Sequence, residues 1–195
     1  SGKMGYAVAC AARDRGAIVT LVSGPSQLSV PEGVFFMSCR TASEMNDHVR
    51  QQFPDCDILI MSAAVGDFAL KQIEKEKIKK KENIPLFLKL LPTEDILQNV
   101  AKWKTKQFVV GFAAESENLT QSALEKLRNK NLDLIVANDI SSPGIGFQSD
   151  SNQVTLIKKN EEIKKLPLLP KIEIAHHLLN DVVATLSNAG FDSLR

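Results

Sequence analysis

Apolar positions along this chain switch repeatedly between a helical period and short continuous runs. Over residues 4–15 small apolar side chains recur at helical spacing (Tyr6, Ala7, Val8, Ala11, Ala12), and Gly16 follows as a C-terminal stop, which predicts a helix. Residues 17–22 are uncharged and rich in β-branched types and predict a buried strand that Gly24-Pro25 ends. A short strand is expected at 34–37. A helix is then expected to start at Thr41 or Ser43 and run through Phe53, with Glu44 at the capping-box distance from Thr41. The runs at 57–61, 108–112 and 132–137 read as further buried strands, and 94–103, 119–130 and 171–186 as helices. Segments 153–159 and 162–166 suit a hairpin. Two stretches break the rhythm: residues 66–91, lysine-rich and then extended, and the loop 141–150 with Pro143, Gly144 and Gly146.

Helices alternating with near-continuous apolar strands predict an α/β fold, with a Rossmann-like, doubly wound, mostly parallel sheet and helices on both faces. A basic flap and a C-terminal hairpin-plus-helix complete the expected architecture. In such sheets ligands bind beyond the carboxyl ends of the strands. That rule points at Ser23-Gly24, at residues 62–67 and 113–115, and at Asn138-Asp139. A doubly wound sheet opens with a strand and a Gly-rich turn, whereas this sequence opens at the helix. Residues 1–195 are therefore read as one nucleotide-binding domain lacking its first strand and Gly-rich turn.

Composition narrows the function without naming it. The 195 residues are 44% apolar and 24% charged with a net charge of +1, a balance that calls for neither nucleic acid nor a membrane surface as partner. No apolar run approaches the roughly 18–20 residues of a membrane span, and residues 1–5 are no signal peptide. Cys10, Cys39 and Cys56 are scattered singly, as reduced thiols of a cytoplasmic protein would be. His48, His176 and His177 have no zinc-ligand spacing, so no dedicated metal site is expected.

Several segments carry candidate chemistry. Ser1-Gly2-Lys3-Met4-Gly5 places glycines and a lysine at a helix start, where backbone N–H groups attract anions; it is no Walker A loop, because Met4 follows the lysine. The strand ending Val22-Ser23-Gly24 lacks the acid that holds ribose in NAD enzymes, which counts against a nicotinamide oxidoreductase. Small residues in Ser62-Ala63-Ala64 let a ligand approach the backbone, and Asp67 either holds a ribose or metal-bound phosphate or caps a helix. Six lysines and two glutamates within residues 71–81 read as a solvated face or as a mobile flap over a triphosphate, with Lys77-Ile78-Lys79 alternating as a strand would. Lys126 and Lys130 share a helix face. Asn138, at the end of a buried run, contacts a ligand or caps a turn.

In this order these segments resemble the phosphopantothenate–cysteine ligase family from residue 1 to about residue 183, in its bacterial type. The resemblance also rests on Thr93-Glu94-Asp95-Ile96-Leu97, Val110-Gly111-Phe112-Ala113-Ala114-Glu115, residues 130–139 and Gly146-Phe147. Gly66 and Phe68 stand where Ala and Tyr are commoner, and the family's Asn-containing segment before Ser1 is not in the sequence. The resemblance implies a ligase that uses CTP and Mg²⁺ to convert 4′-phosphopantothenate to an acyl-cytidylate, which the amine of L-cysteine attacks. It implies Lys77 as the catalytic flap lysine at the triphosphate. Around the nucleotide it places Ser62, Ala63, Ala64, Asp67, Thr93, Glu94, Asp95, Ile96, Leu97, Phe112, Lys126 and Lys130. Gly2, Lys3, Ala63 and Asn138 fall to the substrate. It further implies a homodimer and a fused or separate flavin-dependent phosphopantothenoylcysteine decarboxylase. An NAD(P)-dependent oxidoreductase and an inactive nucleotide-binding fragment are the alternatives.

Overall fold

The computed structural model describes residues 1–72, 76–79, 85–115, 118–139 and 149–188. In chain order its elements are α1 (Lys3–Asp14), β1 (Thr20–Ser23), β2 (Phe35–Ser38), α2 (Ala42–Gln52), β3 (Ile58–Met61), β4 (Phe68–Leu70), β5 (Leu90–Pro92), α3 (Ile96–Trp103), β6 (Phe108–Glu115), α4 (Leu119–Asn129), β7 (Leu134–Asp139), β8 (Ser151–Asn152), β9 (Val154–Lys158), β10 (Ile163–Lys165), β11 (Leu169–Pro170) and α5 (Lys171–Asn188).

Strands made wholly of apolar residues have to be covered on both faces. β6 and β7 meet that demand at the middle of a five-stranded sheet of order β10-β9-β7-β6-β3, and Val109, Val110, Leu134, Val136 and Ala137 are fully buried. β3, β6 and β7 run parallel, while β9 lies antiparallel to β7 and β10 to β9, which is the expected hairpin. Alternate residues face opposite layers. Val110, Leu134 and Val136 pack with α1 and α5, and Val109, Ile135 and Ala137 pack with α2, α3 and α4. Each of these valine, leucine and isoleucine side chains contributes about 1.5–3 kcal/mol on burial.

Local signals set the helix starts. Thr41 Oγ1 accepts from the Glu44 N–H at 3.1 Å, and Glu44 reaches back to the Arg40 N–H at 2.6 Å. Asp95 Oδ1 accepts from the Gln98 N–H at 3.0 Å, so α3 opens at Ile96 rather than at the expected 94. Below the sheet, Asp133 Oδ2 accepts from Lys104 Nζ at 2.5 Å and from the Val109 N–H at 2.8 Å, fastening β6 to the entrance of β7.

Two expectations are corrected. The run 17–22 enters a strand only at Thr20, and Ile18 stands 88% exposed. Among the described residues β1 pairs with β2, and β3 forms the sheet edge with Ile58, Leu59 and Ile60 only half-buried, so the parallel strands are laddered as β1-β2 and as β3-β6-β7. Lys77-Ile78-Lys79 is not a strand; the ordered pairing of that region is β4 with β5, antiparallel, at the root of an exposed arm. Gly146-Phe147 and flap lysines Lys75, Lys80 and Lys81 lie outside the described residues.

Candidate functional site

The carboxyl ends of the parallel strands β3, β6 and β7 lie at one end of the sheet, where ligands of such folds bind, and the first turn of α1 lies there beside Ser62. Gly2 caps α1 with φ +74°, a left-handed conformation natural to glycine, and its carbonyl accepts from the Tyr6 N–H at 3.0 Å. No side chain caps this helix start, and its first turn holds no acid. Its N–H groups therefore present positive potential there. Gly5 lets the helix lie against β3: a Cβ there would stand 2.9 Å from Ser62 Oγ. Lys3 adds a charge beside this turn and pairs with Asp150 at 2.6 Å, which holds that carboxyl below its ordinary range.

Asn138 ends β7 on the face that carries α1 and α5, since it follows Leu134 and Val136 in the alternation. It is 7% exposed, and its Oδ1 is buried with no hydrogen-bond donor among the described residues. An unpaired buried acceptor of this kind costs about 1–3 kcal/mol. Beside Lys3 lies Lys171, 6% exposed, whose Nζ donates to the Ser149 carbonyl. Burial and the charge of Lys3 lower the Lys171 ammonium below its ordinary value, and Asp150 opposes them.

A second group of residues gathers around the start of α3. Thr93 joins the β3–β4 loop twice, donating Oγ1–H to the Gly66 carbonyl at 2.6 Å and N–H to the Asp67 carbonyl at 2.8 Å. Buried Asn46 donates to Glu94 Oε2 at 2.8 Å, and Asn99 bonds both, so the 93–97 segment is held from α2. Asp95 pairs with Lys130 at 2.7 Å. Burial alone would raise the Asp95 carboxyl, but Lys130 and the amides of Gln98 and Leu97 together hold it below its ordinary value. Arg50 stacks 5.9 Å from the Trp103 ring centroid across an open polar cleft of about 510 Å³ between α2 and α3.

The family model for the DNA/pantothenate metabolism flavoprotein C-terminal domain matches residues 1–186. The chain belongs to that family. It is 40% identical over 191 residues to the coenzyme A biosynthesis bifunctional protein CoaBC of Bacillus subtilis, covering 97% of this chain and 47% of that protein. The CoaBC of Escherichia coli K12 is 43% identical over 186 residues, covering 94% of this chain and 46% of its own length. The chain thus spans about half the length of these relatives. Among solved structures, the crystal structure of a CoaBC C-terminal domain superposes with a TM-score of 0.82 at 37% identity, covering 96% of this chain and 84% of that one.

Within this flavoprotein C-terminal domain the structure joins some sequence-expected residues and separates others. Ser62 is half-buried, while Ala63, Ala64 and Asp67 are exposed beyond the end of β3. Ile96 is buried under α3 and Leu97 half-buried, so these two support the segment from below. Phe112 lies on the α1 and α5 face, whereas Lys126 and Lys130 lie on α4 across the sheet. Lys77 is exposed on the arm. Sequence reasoning missed Asn46 and Lys171. A lysine in the first turn of α5 opposes the helix dipole, and that local conflict was the available signal. Asn46 had none, because only the α2–α3 packing brings it to Glu94. No group of three His, Cys, Asp or Glu among the described residues suits a metal ion, and no described helix is long and apolar enough to cross a membrane.

Proposed function

We propose that this chain is a phosphopantothenate–cysteine ligase unit: it activates the carboxylate of 4′-phosphopantothenate with CTP and joins it to L-cysteine. The observation that carries this reading is the buried Asn138 Oδ1, without a donor among the described residues, on the face that α1 covers, near the start of that helix, which no side chain caps. The substrate has matching parts. Its phosphate suits the N–H groups of Gly2, Lys3 and the rest of the first turn, and an amide N–H or hydroxyl of its pantothenate part suits Asn138. Its carboxylate then projects toward Ala63 and the β3–β4 loop. The names of the CoaBC relatives, coenzyme A biosynthesis proteins, support this reading.

In the first step a carboxylate oxygen attacks the α-phosphorus of CTP, a P–O bond forms, and pyrophosphate leaves. In the second the cysteine amine attacks the acyl carbon and expels CMP, leaving phosphopantothenoylcysteine. Ser62, Ala64, Asp67, the Thr93–Leu97 segment, Lys126 and Lys130 form the nucleotide side, Phe112 reaches it from the opposite, α1 and α5 face of the sheet, and Lys77 neutralises charge on the triphosphate. Magnesium bound with the nucleotide would neutralise charge on its phosphate oxygens.

The arm also supports a homodimer. Phe68, Leu86, Phe87, Leu88 and Leu90 are all exposed on it, Phe87 to 89%, an apolar ribbon that a second copy would cover. The relatives are about twice as long and named as bifunctional, which supports a partnership with a flavin-dependent decarboxylase, and the cytoplasm is the compartment that suits three free thiols. Pyrophosphate release with 4′-phosphopantothenate and Mg²⁺ tests the reading. Release with CTP and not ATP, followed by CMP release only when cysteine is added, is the expected result. Failure of CTP to bind in calorimetry would overturn it.

A further inference from the structure

Asn46 is a polar side chain set in an apolar seam. α2 buries three residues, Met45, Asn46 and Val49, and Met45 and Val49 share a hydrophobic cluster with Phe53 and with Ile96 and Val100 of α3. These apolar residues suffice to pack the two helices together. A buried amide adds little net energy to such a contact, because its bonds replace bonds to water. What it adds is direction, since a hydrogen bond has a preferred length and angle.

The Asn46 Nδ2 donates to Glu94 Oε2 at 2.8 Å, its Oδ1 accepts from Asn99 Nδ2 at 3.2 Å, and Asn99 Nδ2 also donates to Glu94 Oε2 at 3.1 Å. The three side chains close a ring that grips Glu94, one residue before the Asp95 cap of α3. Both neighbours of Glu94 carry that hold onward. Thr93 bonds the Gly66 and Asp67 carbonyls of the β3–β4 loop. Asp95 caps α3 through the Gln98 N–H and pairs with Lys130 at the end of α4. Four parts of the fold thus meet at three consecutive residues. Of the side chains that reach in to hold them, Asn46 is buried, whereas Asn99 and Lys130 are half-exposed.

We propose that Asn46 is a positioning residue for the nucleotide: acting through Glu94, it sets the placement of Thr93, Asp95, the Asp67 loop and Lys130, and with it the affinity for CTP. This rests on the ligase reading, in which those residues form the nucleotide side. Without the ring, Ile96 and Val100 still anchor the body of α3, but the approach to the helix loses its hold on α2. The loss falls on a bound nucleotide and not on the packing of the helices. It also spares the other substrate, whose residues Gly2, Lys3 and Asn138 lie at α1 and β7.

The test is calorimetric, with Mg²⁺ present, and reads Kd for CTP, Kd for 4′-phosphopantothenate and Tm on the 195-residue chain. Asn46→Leu keeps the branched shape and removes both bonds. Its Kd for CTP is expected to rise about tenfold, with Kd for 4′-phosphopantothenate and Tm close to wild type. Asn46→Asp gives the finer signature and changes the size of the side chain least. Its carboxylate faces Glu94, so the bond is lost at about pH 8, where both groups are ionised, and returns as the pair takes up a proton toward about pH 5.5. The other charged groups around the ring are Asp47 and Arg50 of α2, Asp95 and Lys102 of α3 and Lys130 of α4. Variant and wild type share them, so the ratio of their Kd values for CTP isolates position 46. That ratio should be about tenfold at the higher pH and close toward one at the lower. CTP affinity unchanged in Asn46→Leu, both affinities falling together, or a ratio for Asn46→Asp that ignores pH would overturn the proposal alone. A wild type that binds no CTP would overturn the ligase reading and the proposal with it.

Discussion

The substitution Asn138→Leu should make the protein more stable and a poorer ligand binder. The two side chains branch alike, so leucine keeps the shape of the β7 end while removing an acceptor that is buried with no donor among the described residues. Relieving such a group returns about 1–3 kcal/mol. Part of that is lost to the larger methyl groups in a close-packed site, which cost up to about 1–3 kcal/mol when they do not fit. The two effects partly offset, and a net gain of about 1 kcal/mol is expected. For a chain of this size that raises Tm by about 2–4 °C. On the ligand side, the N–H or O–H that Asn138 accepts from would be left unpaired in the complex. That costs at least about 1.4 kcal/mol, or tenfold in Kd for 4′-phosphopantothenate. Differential scanning calorimetry and isothermal titration calorimetry measure the two effects on one preparation. A fall in Tm together with an unchanged Kd would refute the reasoning, because Oδ1 would then be serving the fold and not a ligand.

Other perturbations separate structure from chemistry. Lys77→Gln is expected to lower the rate of pyrophosphate release by about 100-fold, as loss of one preorganised charge stabiliser does, with Tm unchanged because Lys77 is exposed. Lys104→Met should cost about 3 kcal/mol in urea unfolding, since Asp133 would keep its charge in a half-buried site with only the Val109 amide for partner; adding Asp133→Asn should recover part of it. Lys130→Met tests the sign of the Asp95 shift. The Asp95 carboxyl is held below its ordinary value of about 4, so its contribution is present above that pH and is lost as pH falls through the folded value. The Tm difference between wild type and Lys130→Met should therefore be full at pH 7 and shrink as pH falls below the ordinary carboxylate range; a difference that does not shrink in acid would contradict the pairing.

Alternation of helical and continuous apolar patterns was enough to place the elements of the interior, because β6 and β7 are apolar on both faces and can only sit between helix layers. The Thr41 cap was legible for the same local reason, since Thr41 and Glu44 lie within one turn of each other, whereas the Asp95 cap moved the expected helix start from 94 to 96. The position of the candidate site followed from strand direction, since Ser62 follows β3 and residues 113–115 and 138–139 close the parallel strands β6 and β7. Three features came only with the tertiary structure. Asn46 reaches Glu94 across 48 positions of sequence, and Lys3 reaches Asp150 across 147, distances at which no local pattern operates. The partition of Phe112 from Lys126 and Lys130 depends on which sheet face each element covers. Which strands ladder with β1 and which with β3 depends on hydrogen bonds between strands. A run such as Ile58-Leu59-Ile60 carries the same apolar signal whether one neighbour or two will pair with it. Side-chain pattern encodes which faces must be buried; main-chain pairing, identical for every residue type, is settled only when the strands are brought together.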